Sequence, residues 1–114
     1  MRLRNFTPHS VAVYSADLKS VILDIPPEKK SIRVKEVIVE EDGETILGIP
    51  ILTKRITGID NLPEPEQDTA LIVSLYVFEA SDRKDLLCPD TGEESVVRDE
   101  YGQILGVRRF CKKA

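Results

Sequence analysis

Asp90-Thr91-Gly92 is the triplet that carries the reactive carboxylate of aspartic proteases. Such an enzyme needs two triplets face to face, one carboxyl sharing its proton with the other. A chain with one triplet would have to dimerise. The triplet would also sit early, because the flap and the apolar segment that buttresses it lie downstream. Only 22 residues follow Gly92, and Ile104-Leu105-Gly106 comes too soon to be that buttress. Pro89 stands where those enzymes place an apolar strand residue. The sequence argues against a protease. It reads Pro89 to Gly92 as a turn, with Asp90 accepting from a backbone N–H two residues on and Gly92 supplying a positive φ. A turn at the C-terminal end of a buried strand also presents Asp90 and Thr91 to a ligand.

Asn5, Thr7 and His9 make a second polar cluster, in which Pro8 fixes φ and stiffens a strand edge. His9 is the only histidine, hence the only side chain that ordinarily titrates near neutral pH. Spacing alone assembles no catalytic triad around it. A third cluster lies near the C-terminus, where Arg98 and Asp99 precede a turn and Arg108 follows it. On a strand over this region Ile104, Gly106, Arg108 and Phe110 would share one face. Leu105, Val107, Arg109 and Cys111 would share the other. Each face mixes arginine with apolar residues, so one guanidinium should pair with Asp90 or Asp99. Its functional use would be to grip a carboxylate or phosphate. Gly92, Gly102 and Gly106 are too scattered for a phosphate loop. Two cysteines and one histidine cannot fill a four-ligand zinc site without carboxylates. No metal or cofactor is expected.

The elements that must position these groups read mainly as strands. Residues 10–15 and 20–25 are short β-branched runs joined as a hairpin, and Pro26-Pro27 ends the second. Residues 31–41 form a longer strand in which Ile32 and Val34 fall in one phase and Val37 and Val39 in the other. A bulge near Lys35-Glu36 would reconcile them. Asp42-Gly43 signals a turn. Residues 45–56 return, interrupted at Gly48 and Pro50, and 57–69 is an extended, acidic connection. Residues 70–73 are a buried strand, and Ser74 caps a helix over 75–84. Leu75, Val77 and Phe78 should face the core; Glu79, Asp82 and Arg83 should face water. Residues 85–88 complete a strand–helix–strand unit of either sense. The chain closes with a hairpin turning at residues 100–103. Val11, Val13, Ile22, Leu71, Val73, Phe78 and Leu105 are the expected core.

The composition sets limits on all of this. The chain has 114 residues, 41% hydrophobic and 32% charged, with a net charge of −4. That suits one soluble α+β domain over residues 1–114: a compact, mostly antiparallel sheet with one short helix. It supplies no basic footprint for nucleic acid. Arg2/Arg4 and the Arg108–Lys113 region are small patches only. The first ten residues lack the apolar region of a secretory signal, and 70–80 is too short to span a membrane. Cys88 and Cys111 suggest no disulfide framework and are expected to be reduced, in a cytoplasmic setting.

The segments NFTPHSVAVY, IPP, NLPEPEQDTALIVS, PDTG and VRDEYGQILGVRRF, in this order, resemble a family of small bacterial and bacteriophage proteins. No activity is attached to that family, so the resemblance implies no catalytic residue. Asp60-Asn61-Leu62 departs from it, since the related form opens on glycine before LPEP. The leading functional expectation is a non-enzymatic binding module for a small anionic ligand such as a nucleotide. Asn5, Thr7, His9, Asp90, Thr91, Arg98 and Arg108 would surround the site. The alternative is an interaction or assembly subunit without a pocket, with a homo-oligomer as one form. A small hydrolase comes third, and the sequence does not decide whether the protein is an enzyme.

Overall fold

The computed structural model describes residues 1–39 and 43–114. In chain order the elements are β1 (Arg2–Asn5), β2 (Val11–Tyr14), β3 (Val21–Ile25) and β4 (Arg33–Val39). The short pair β5 (Thr45–Ile46) and β6 (Ile49–Pro50) comes next, then β7 (Thr53–Asp60) and β8 (Thr69–Ile72). Helix α1 (Leu75–Ala80) precedes β9 (Leu86–Pro89), β10 (Val96–Arg98), β11 (Ile104–Val107) and β12 (Phe110–Lys112). One four-stranded sheet runs β1-β8-β9-β12 and a second runs β10-β11-β2-β3. β4 and β7 form a separate two-stranded ribbon, and β5 and β6 form a short pair of their own.

The protein is mostly β with one short helix, but its sheets are mixed rather than mostly antiparallel. β1 pairs with β8, β8 with β9, and β11 with β2, all parallel. The hairpins follow from local turn signals, whereas β1 and β8 meet across some sixty residues, which no local pattern encodes. β8, α1 and β9 make the crossover unit, in its parallel sense. Ser74 caps α1 by accepting from the Val77 N–H at 3.4 Å. The helix stops at Ala80, four residues before the expected end, with Ser81 as its extended C-cap. Arg83 does not face water: it forks onto Asp85 at 2.6 and 2.9 Å and donates to the Pro63 carbonyl at 2.6 Å.

Phe6, Ile32, Leu71, Val73, Val77 and Leu86 form the larger core cluster. Val13, Ile25 and Ile72 form the second, with Val11 packed beside them. Ile22 and Leu105 are not core, being 65% and 49% exposed. Leu75 is also exposed, and Phe78 is half-buried beneath the Lys113 ammonium. The expected closing strand is two strands. β11 belongs to the second sheet and β12 to the first, and the chain changes sheet at Arg108-Arg109. The buried Ser95 holds that switch, its Oγ accepting from both N–H groups at 3.1 and 3.2 Å.

The ribbon departs most from expectation. Thr57–Asp60 belong to β7 rather than to a connection. The pairing slips between Lys35 and Glu36, as expected, but the extra residue is Thr57 on the partner strand. The phases of β4 are therefore not merged, and Val37 remains exposed. Asp42 of the expected turn lies outside the described residues. Leu47 and Gly48 turn the β5–β6 pair with successive positive φ values of 53° and 80°. Asn61 has φ 65°, the left-handed conformation that glycine favours and asparagine tolerates. The ribbon packs on the body through Val34 and Ile59. The radius of gyration is 17.1 Å, against about 13 Å for a compact chain of this length. The molecule is extended, not compact.

Candidate functional site

Three adjacent parallel strands, β1, β8 and β9, end on the same side of their sheet. The segments that leave them are the Asn5–His9 loop, Ser74 with α1, and the Pro89–Gly92 turn. In sheets of this kind ligands bind outside the carboxyl ends of the strands. A cavity of about 560 Å³ lies there. Thr7, His9 and Ser10 contribute from the first segment, Ser74 and Leu75 from the second, and Pro89 and Thr91 from the third. β11 closes the far wall with Ile104, Leu105 and Gly106, and Cys88 and Cys111 complete it. The volume is in the range that holds a drug-sized molecule.

Asn5 builds the first loop rather than facing the cavity. It is fully buried. Its amide donates to the carbonyls of His9 at 2.8 Å and Ile25 at 2.9 Å. Its Oδ1 accepts from the Thr7 N–H at 2.9 Å. Thr7 Oγ1 lies 2.7 Å from Asn5 Oδ1 and 2.9 Å from the His9 carbonyl, and its single proton serves one of them. The hydroxyl oxygen keeps acceptor capacity. His9 is held through its carbonyl, which leaves its exposed imidazole at the cavity wall.

The Pro89–Gly92 turn has the expected hydrogen bond, from the Gly92 N–H to Asp90 Oδ1 at 3.0 Å. The expected positive φ at Gly92 is absent. Glycine is favoured there by space, since a Cβ would come 3.2 Å from Asp90 Oδ1. Asp90 pairs with Arg109, whose Nε donates to Oδ2 at 2.5 Å. That hydrogen bond, then the one from Gly92, holds the carboxyl below its usual range, and Arg108 adds a weaker field. The arginine that pairs is thus Arg109, not Arg98 or Arg108. Arg98 donates to the Gly102 carbonyl at 2.6 Å within the last hairpin. Asp99 closes that hairpin by accepting from the N–H groups of Tyr101 and Gln103.

The structure therefore brings Thr7, His9 and Thr91 to one cavity. Asn5, Asp90 and Arg98 are spent on local structure, and Arg108 does not line the wall. The sequence reading missed Ser74, seen only as a helix cap, and Leu75 and Leu105, assigned to the core. Their apolar character was legible; that they face an open cavity was not. Cys88 and Cys111 lie opposite each other in the β9–β12 ladder, unbridged. Among the described residues no cluster of three or more His, Cys, Asp or Glu side chains could hold a metal ion. Among them, too, no helix is long and apolar enough to cross a membrane. No protein family, curated protein or solved structure matches the chain.

Proposed function

We propose that the protein is a binding module for a small ligand with an apolar body and one polar, anionic end. The apolar body rests on Leu75, Ile104 and Leu105. The polar end meets His9, Thr7 and Thr91. The observation that carries this reading is the exposure of Leu75 and Leu105. Their sequence pattern suits a core, yet they line an open cavity at the ends of three parallel strands. Leaving such side chains in water costs free energy that a ligand would recover. The His9 imidazole at the wall supplies a hydrogen-bond donor for an anionic end. The unbridged thiols support a cytoplasmic setting.

The test uses anilinonaphthalene sulfonate, which joins an apolar body to an anion, with the folded full chain. One saturable site is expected, weakened by His9→Ala and blocked by Leu105→Arg. Native mass spectrometry of protein from its host should show a retained small molecule. A folded chain that binds neither the probe nor any cellular molecule overturns the reading.

A second reading is an interaction or assembly subunit. One specific observation favours it: Ile38 and Ile56 of the β4–β7 ribbon are exposed, as are Ile46, Leu47 and Ile49 of the β5–β6 pair.

A further inference from the structure

We infer that the β4–β7 ribbon is a dimerisation arm, its apolar face covered by the same face of a second copy of this chain. The inference deepens the second reading and is independent of the cavity.

The chain exposes 8205 Å². A compact monomer of 12.8 kDa would expose about 6,300 Å². The excess of roughly 1,900 Å² is spread over the whole chain, and it leaves room for the ~800 Å² that each partner contributes to a standard interface. The excess belongs with the extended shape, 52 Å along its longest axis. A ribbon of two strands is also marginal in water unless one face is covered.

The side-chain pattern on that face fits itself. Glu36 is paired with Ile56, and Ile38 with Lys54. Side chains two apart on a strand share a face. The four therefore form a square with isoleucines on one diagonal and opposite charges on the other. Lys54 Nζ reaches Glu36 Oε1 only at 3.7 Å, a loose pair with capacity left over. Two such faces, related by a two-fold axis along the Ile38–Ile56 diagonal, place isoleucine on isoleucine. The same axis lays each Glu36 over Lys54 of the partner subunit. That mutual matching is what an isologous contact requires. Tyr76 borders the square, donating from its hydroxyl to Glu36 Oε2 at 2.7 Å. It is half exposed and extends the apolar patch onto α1.

A competing apolar surface lies on the edge strand β3, at Val21, Ile22 and Leu23. It lacks the paired opposite charges of the ribbon, so it serves as the control.

The experiment is sedimentation equilibrium of the full chain from low to high micromolar concentration. A mass of twice 12.8 kDa is expected at the upper end. Lys54→Glu should weaken association about tenfold or more, by setting like charges opposite each other. Adding Glu36→Lys to it should restore association. Ile38→Asp, at an exposed position, should give monomers that melt as the unsubstituted chain does at concentrations where it too is monomeric. Ile22→Asp should leave the dimer intact. Monomer at every concentration overturns the inference and leaves the ribbon to a different protein. A dimer that survives Ile38→Asp and dissolves with Ile22→Asp overturns it in favour of β3. Lys54→Glu without effect, or a double variant without rescue, removes the proposed register. None of these outcomes alters binding at the cavity, so the two readings fail separately.

Discussion

Cys111 sits directly opposite Cys88 across β9 and β12, an exposed thiol beside a buried one. Burial pushes the Cys88 thiol up to about 11, and its neighbour Cys111 adds to the rise. The thiolate is the reactive form, so the two should separate kinetically. With iodoacetamide at pH 8, Cys111 should be modified first and Cys88 should wait for denaturation. Timed labelling read by peptide mass spectrometry checks this. Finding no alkylatable thiol before reduction would show a bridge and contradict the reduced pair.

Asp90 and Asp85 are both held below their ordinary value of 3.8, chiefly by side-chain hydrogen bonds from Arg109 and Arg83 respectively. The folded chain therefore binds these protons less readily than the unfolded chain. Their contribution to stability is complete above the ordinary carboxylate range and is lost as pH falls through the folded values. Arg109→Ala should move the Asp90 titration up toward 3.8 and flatten the acid limb of the stability profile. Carbon-detected NMR of the carboxyl follows the first, and urea melts between pH 2 and 6 the second. An Asp90 midpoint unmoved by Arg109→Ala would dissolve the pair.

Leu86 is fully buried in the larger core, whereas Leu105 lines the cavity. Leu86→Ala should cost about 2–5 kcal/mol, as large-to-small core changes do. Leu105→Ala should cost less than about 1 kcal/mol, as for a position without core packing. Equal losses in chemical denaturation would mean that the cavity wall is core after all.

Gly106 allows β11 to lie against β2. A Cβ there would meet the Ala12 carbonyl oxygen at 2.5 Å and the Tyr14 ring at 2.7 Å. The ring can turn, but the backbone oxygen must move with its strand. Gly106→Ala should destabilise by about 1–3 kcal/mol, the usual cost of overpacking. A neutral or stabilised melt would show that the two strands are farther apart.

What the sequence by itself determined was local. The Asx turn at Asp90, the Ser74 cap, the strand through Leu71 and Ile72 and the slip at Lys35-Glu36 rest on neighbours a few residues apart. Their physics is that of backbone hydrogen bonds and side-chain alternation, which short patterns encode. The tertiary structure decided which strands meet. β1 lies beside β8 although the chain between them folds into the second sheet's hairpin and the ribbon, because burying Leu71 and Ile72 needs partners on both sides. That pairing brings the His9 loop to the Thr91 turn. It also leaves Leu75 and Leu105 facing a cavity, and it makes Arg109, at the switch between sheets, the partner of Asp90. Apolar patterning marks a face that leaves water but does not say whether core, ligand or second subunit covers it. Leu86, Leu105 and Ile38 look alike in the sequence, and only their positions in the fold separate them.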